Sequence, residues 1–509
     1  MMQIMFNEDW MHFYLTRHEN HIKPGEEELR DFIYQYRGTQ ITDFSLNVNG
    51  TISSFPSKTL ESFVDKYRKT TENNGPVDYR ETFADICSHI FAVKGLDHYA
   101  IWIKALREIN IRPWISIRMN DCHGNLEEGP DIRRSEFVNA HPELWRIRHR
   151  RPTEYFDKCL DYLKAEVSGR IYSYIEEVLD RYDPDGLELD FTREILCFPP
   201  GYEAMGRRAL YDLMKRIKAL TLEYTKKRNH KIAIGVLVHA SPITNLNAGL
   251  DIALWARDCL VDVVVALPRW ETINTDIPIG IWKELLPPSV QFGSGQQILI
   301  RPYREYKNKN TPASITTMAM AFGQAAASLS CGADFIYLYN YMDMQSVDSS
   351  VGNPPQSVIE KNCQEILFKN LGALESVLKM KRRHVLSYDD SINYWEAAAS
   401  VLPLKLRADG PFRNIRIVTG TIPAKAKVSL VLGIQSDQPL TGEEFEVYVN
   451  SRALRLSGLG DLNEAVCDLP AYRFEIPADT FIENFVVAEI KAKKQAAVHY
   501  AEVVVEPDL

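Results

Sequence analysis

The sequence predicts an α/β chain: a (β/α)8 TIM barrel followed by an antiparallel β-sandwich. Three observations carry this reading. Up to about residue 375, short β-rich runs alternate with amphipathic helical stretches. Several of the runs (VDVVVAL, KIAIGVLV) are apolar at nearly every residue, as parallel strands buried on both faces require. Beyond about residue 385 the helical period fades, and short strand-like runs recur between Gly, Pro, Asn and Asp.

Taken in order, the predicted barrel strands are 2–6, 41–48, 114–119, 186–191, 231–238, 261–267, 297–301 and 334–339. The helical stretches between them include 26–36, 83–108, 167–181, 202–228, 313–330 and 355–371. Strands regularly separated by helices give the count of a closed barrel. A doubly wound sheet is the competitor, but no GxGxxG or GxxxxGK[ST] opens a helix after a strand. The cationic run KMKRRH (379–384) reads as the end of the last long helix, where positive charge suits the dipole. The predicted sandwich strands are 415–419, 427–432, 445–449, 472–476, 485–490 and 500–505. The expected division is therefore a catalytic barrel over 1–380 and an accessory sandwich over 381–509.

Composition narrows the function. The 509 residues are 45 % hydrophobic and 25 % charged, which excludes a disordered or low-complexity chain. A net charge of −9 gives no basic face for nucleic acid, so no nucleic-acid partner is expected. Acids at Glu8 and Asp9 stand where a secretion signal would be basic, and no apolar run is long enough to span a bilayer. The eight cysteines form no CxxC pair. A cytoplasmic protein with reduced thiols, no membrane partner and no cofactor is expected. Homo-oligomer formation is left open.

Catalytic groups of a barrel gather at the C-terminal ends of its strands. In GLELDFTR, alternation turns Glu188 and Asp190 toward the barrel axis, with Asp190 at the mouth. A carboxylate one layer deeper needs a partner, and Arg118 on strand three is the expected one for Glu188, as a structural ion pair. The other strand ends are rich in amides, acids and flat aromatics, the mixture that holds sugars by hydroxyl pairing and ring stacking. Candidate substrate contacts are Trp10, Asn47, Arg118, Asn120, Asp121, His123, Arg193, His239, Trp270, Arg301, Tyr339 and Asp343, with Trp10, Trp270 and Tyr339 as stacking surfaces.

Glycoside hydrolysis needs two carboxyl groups. Asp190 is the candidate nucleophile or base. Glu271, beyond strand six and beside Trp270, is the first choice of general acid, ahead of Asp121 and Asp343. A divalent metal held among Asp121, His123, Glu188, Asp190 and His239 is the chemical competitor. The absence of HxH and HExxH motifs argues against it, and no metal is expected.

HPELW (141–145), RMNDCHG (118–124) and RYDPDGLELDFTRE (181–194) together resemble the family-10-like glycosyl-hydrolase-like barrel proteins of bacteria. The resemblance spans about residues 1–375. It implies a TIM barrel, carbohydrate-active chemistry and, in many members, a C-terminal sandwich. Asp190 and Arg193 match its D-G-[IL]-x-[LF]-D-[FY]-x-R element position by position, and Asp121 matches more loosely. The loop EILCFPPGYE after Arg193 departs from the apolar stretch usual in that family. The overall expectation is a bacterial glycoside hydrolase of oligosaccharides or small glycosides. The rivals are a non-catalytic carbohydrate-binding barrel and a metal-dependent sugar isomerase or lyase.

Overall fold

The structure is a computed structural model. It describes residues 2–9, 11–19, 21–72, 81–125, 131–150, 153, 155–269, 272–300, 314–341, 361–387, 401–460 and 469–508. Eight parallel strands close into a barrel: β1 (Ile4–Glu8), β2 (Ile41–Asn47), β3 (Arg112–Arg118), β4 (Gly186–Asp190), β5 (Ala233–His239), β6 (Val263–Leu267), β7 (Gln291–Gln297) and β8 (Phe335–Tyr339). Each strand pairs with its neighbours in the chain, and β8 returns to β1, which puts β8 directly across the lumen from β4. Helices pack outside the strands, with Ala165–Arg181 and Glu203–Arg228 flanking β4 in the chain.

Seven of these strands largely coincide with the predicted ones; β7 shares only Gln297 with its own. It is QFGSGQQ at 291–297, whereas Leu299–Ile300 pairs with Ser314–Ile315 in a separate two-stranded sheet. The reason is steric. A Cβ on Gly293 would stand 2.4 Å from the Phe335 ring, and one on Gly295 would stand 2.4 Å from Leu267. The lumen is already filled by its neighbours' side chains, so this strand must be small instead of apolar. The same fit recurs lower down, where a Cβ on Gly186 would lie 2.2 Å from the Trp114 indole. Gly293→Ala is expected to cost roughly 1–3 kcal/mol of stability through overpacking. Gly169→Ala is the control, on the Ala165–Arg181 helix with nothing within 4 Å of the new methyl. It should gain about 0.5–1 kcal/mol, with urea denaturation as the measurement of both.

A second unit follows, built of β9 (Arg382–Leu386), β10 (Leu404–Leu406), β11 (Arg413–Val418), β12 (Lys427–Gln435), β13 (Phe445–Val449), β14 (Arg452–Leu454), β15 (Leu456–Leu459), β16 (Ala471–Glu475), β17 (Phe485–Ala492) and β18 (Ala496–Glu506). One antiparallel sheet runs β9-β18-β12-β16-β15, with β10 also on β18, and the other runs β11-β17-β13-β14. Their apolar faces share a core that includes Ile415, Leu430, Leu432, Phe474, Ile490 and Val503. The cationic run at 379–384 is therefore divided: a short helix stops at Val377, and Arg382, Arg383 and His384 begin the sandwich as β9. Arg382 still serves that helix end, donating from Nη1 to the Leu378 carbonyl at 3.2 Å.

The seam between the two units is intimate. A Cβ on Gly323, in the helix Met318–Ser330, would stand 2.1 Å from the Arg383 carbonyl, so glycine lets the helix lie directly on the β9 backbone. Ile273, Met320, Val385, Val431 and Tyr500 form a buried apolar cluster there. The loop after β6 is stitched to β9: Ser387 N donates to the Ile273 carbonyl at 3.1 Å and Ile273 N to Ser387 Oγ at 3.2 Å. Arg416 forks onto Asp276 at 2.7 and 2.8 Å.

Candidate functional site

Strand four carries both inward carboxyl groups, and strand eight supplies a tyrosine to each. Tyr339 OH donates to Asp190 Oδ2 at 3.0 Å, and one layer deeper Tyr337 OH donates to Glu188 Oε1 at 2.8 Å. Two hydroxyl–carboxyl rungs thus cross the lumen between opposite walls. Asp190 Oδ1 accepts three more bonds, from Thr192 N and Oγ1 at 2.7 Å each and from Arg193 N at 3.1 Å. The turn following β4 therefore locks Oδ1 and leaves Oδ2, with a single donor, as the oxygen with spare lone-pair capacity.

Glu188 differs sharply from Asp190. It also accepts a long bond from Asn7 Nδ2 at 3.4 Å, and the Ser45 and Ser116 hydroxyls stand beside it. Burial pushes the Glu188 carboxyl up to about 7; Asp190 adds to this, and the Ser116 and Tyr337 hydroxyls oppose it. Folding therefore keeps a proton on Glu188 that the unfolded chain releases near pH 4.5, so stability drains away as pH rises from about 4.5 to 7. Glu188→Gln should remove that cost, because an amide can still accept from Tyr337 without a charge to desolvate. The expected gain over wild type is absent at pH 4, grows toward pH 7 and levels off there at roughly 3 kcal/mol or less. Urea denaturation across that pH range is the measurement.

Arg118 does not pair with Glu188. In the β3–β4 register Ser116 stands opposite Glu188 and Arg118 opposite Asp190. The guanidinium instead bonds Asp9 at 2.5 Å and Asp121 at 3.3 Å, with all three side chains at most 4 % exposed. Burial works to raise the Asp9 carboxyl, but the Arg118 and His12 charges outweigh it and hold it below the usual range. Burial likewise opposes ionisation of Asp121, and the bond from His123 with the Arg118 and Arg193 cations pushes it far down. Asp121 Oδ1 lies 2.6 Å from His123 Nδ1, and Arg193 Nη2 bonds His123 Nε2. Because a guanidinium only donates, Nε2 must accept, which assigns the proton to Nδ1. Burial, aided by Arg193, brings His123 down to about 4, so the ring is neutral near pH 7.

Six residues predicted separately thus fall into one group: Arg118, Asp121, His123 and Arg193 in one bonded chain, and Asp190 with Tyr339 across the lumen beside it. Tyr339 spends its hydroxyl on Asp190, so it orients a carboxylate where a stacking surface was expected. Asn47 donates to the Ser116 carbonyl, and Asn120 donates to the Leu160 and Leu196 carbonyls while accepting from Leu160 N. These two amides serve the backbone of the mouth. His239 Nδ1 accepts from Ser241 N at 3.1 Å. Trp10, Trp270, Glu271, Arg301 and Asp343 lie outside the described residues.

Sequence reading missed four residues. Asp9 continues the inward alternation of Met5 and Asn7 beyond the end of β1, a signal present in the sequence. Tyr337 follows from the alternation that placed Tyr339. The buried pair of Arg269 with Glu194 at 3.0 Å joins two loops and leaves no periodic trace.

No family model and no curated protein matches the chain. Among solved structures it is similar to α-L-fucosidase isoenzyme 2 of Paenibacillus thiaminolyticus, at 13 % identity and a TM-score of 0.41, over 72 % of this chain and 48 % of that one. It is also similar to the α-fucosidase of Thermotoga maritima, at 12 % identity and a TM-score of 0.35, over 94 % and 80 % of the two chains. A third is a GH36 α-galactosidase of Geobacillus stearothermophilus, at 12 % identity and a TM-score of 0.37, over 96 % and 55 %. The chain spans about half the length of the first of these. With every one of these TM-scores below 0.5, the fold rests on the barrel's own strands and the chemistry on its own residues.

Proposed function

We propose that this barrel hydrolyses O-glycosidic bonds of an oligosaccharide or small glycoside, with Asp190 as nucleophile or as base for the attacking water. The observation that carries the reading is the setting of Asp190: a buried carboxylate at a barrel mouth, aimed by four donors, with one oxygen left the less engaged. A group held in one geometry before substrate arrives pays little reorganisation in the transition state. The oxocarbenium-like charge that develops at the sugar would lie beside this anion.

The second carboxyl must carry a proton to the leaving oxygen. Asp121 fits that role poorly, since both its oxygens are engaged by Arg118 and His123 and its carboxyl is pushed far down. Asp9 fits poorly for the same reason. This favours Glu271, which follows β6 in the sequence, and β6 is two strands round the ring from β4. A separation from Asp190 of about 5–5.5 Å would mean retention of anomeric configuration, and about 6.5–9.5 Å inversion. His123 and Arg193, joined to each other, would meet sugar hydroxyls.

The test is sugar release from a broad panel of oligosaccharides and aryl glycosides, followed by NMR of the first-formed anomer of any product. Hydrolysis with one defined anomeric outcome is the expected result. Tight sugar binding without turnover, equal in wild type and Asp190→Asn, would overturn it in favour of a binding barrel.

A further inference from the structure

A third feature of the mouth has no part in the proposed hydrolysis. Cys122 Sγ and Cys159 Sγ approach to 3.2 Å across 37 residues of chain, and both side chains are buried. That gap is about 1 Å longer than a disulfide bond of about 2.05 Å, a shift within side-chain rotation. The two segments are already tied together. Asn120 exchanges bonds with Leu160 N and O, so the residues flanking the thiols are held in register. Arg146 N donates to the Cys159 carbonyl at 2.7 Å and Tyr162 N to the Cys197 carbonyl at 2.9 Å, fixing the remaining sides. Each sulfur is thus presented to the other by backbone that does not have to move far.

We propose that Cys122 and Cys159 form an oxidation site, converted by peroxide into an intrachain disulfide. In the first step a thiol sulfur attacks the peroxide O–O bond, giving a sulfenic acid and water; sulfur loses two electrons and the peroxide gains them. The second sulfur, losing its proton, then attacks the sulfenic sulfur. The S–O bond breaks, and hydroxide leaves with that proton as water. Two thiols and one peroxide give one disulfide and two waters. Peroxide is close to water in size, so it can reach a buried pair through local opening. Burial pushes the Cys122 thiol well up, with Cys159 and the Glu194 and Asp121 charges adding to it, so little of this thiol is thiolate at neutral pH. Cys122 sits between Asp121 and His123, so the bond would form within the segment that organises the mouth.

The full chain, reduced and desalted, is exposed to millimolar hydrogen peroxide, quenched with catalase, unfolded in guanidinium with N-ethylmaleimide, and read by intact mass and peptide mapping. The expected result is two fewer maleimide adducts than the reduced control and a crosslinked peptide joining Cys122 to Cys159. Thiol reductant restores both adducts. Cys122→Ser and Cys159→Ser each abolish the crosslink, and Cys197→Ser keeps it. A crosslink through Cys197 or another cysteine, stepwise oxidation of Cys122 or Cys159 without a crosslink, or full alkylation after peroxide would overturn the proposal. The wild-type peptide map decides it even if a serine variant folds poorly, and it needs no substrate.

Discussion

Asp190→Asn is expected to lower kcat/KM by at least ~10³-fold on any glycoside that the wild type cleaves, about 4 kcal/mol of transition-state stabilisation. Asparagine matches aspartate in size but offers one acceptor oxygen where the native group has two. Thr192 N, Thr192 Oγ1 and Arg193 N converge on Oδ1 while Tyr339 OH donates to Oδ2, so an amide nitrogen placed at either oxygen meets donors. The variant loses the negative charge and also the alignment that the four donors impose. Single-turnover kinetics on the folded variant, with circular dichroism to check the fold, would separate the chemical step from sugar binding. Unchanged activity would remove Asp190 from the mechanism and shift attention to Glu271.

Arg118→Met is expected to destabilise the chain by roughly 3–5 kcal/mol at pH 7, the cost of removing one partner from a buried ion pair. Its guanidinium is the shared cation of Asp9 and Asp121, and methionine would leave both carboxylates in the interior without it. The pH dependence follows from the direction of their shifts. Both groups are held below the ordinary carboxylate range in the folded chain, so they contribute stability above their unfolded values near 4 and lose it as pH falls toward the folded ones. In the variant, burial is less opposed at both carboxyl groups, so each protonates more readily than in the wild type. The deficit against wild type should therefore be largest at neutral pH and shrink on acidification through pH 4. Urea denaturation at pH 7 and at pH 4 measures it, and a loss that does not change with pH would contradict the electrostatic account.

Most of the barrel was legible because its strands obey one rule, burial on both faces, that writes itself as runs of Val, Ile and Leu. Strand β7 breaks the rule for a reason no single-strand pattern contains. Gly293 and Gly295 are small because Phe335 and Leu267, on the two adjacent strands, are large. The same distinction divides the site. Alternation along one strand was enough to turn Arg118, Asp190 and Tyr339 inward. It says nothing of the stagger between strands, so the partner of Arg118 was misassigned: the β3–β4 register places Ser116 against Glu188. Asp9, the true partner, was within reach of the same alternation on β1. Arg269 and Glu194 were not, because loops joined by a salt bridge share no period. Trp10, Trp270 and the favoured acid Glu271 lie outside the described residues.

The stitching of the β6 loop to the sandwich has a genetic consequence. Ile273 and Asp276, a few positions downstream of Glu271, are held by Ser387 and Arg416 of the C-terminal unit. A selection for restored growth on a glycoside, begun from a weakened mouth, should therefore return suppressors in codons 387 and 416 as well as among the barrel loops. By the same logic, exchanging the sandwich for that of a distant relative would transplant a fold and lose the anchor of the β6 loop.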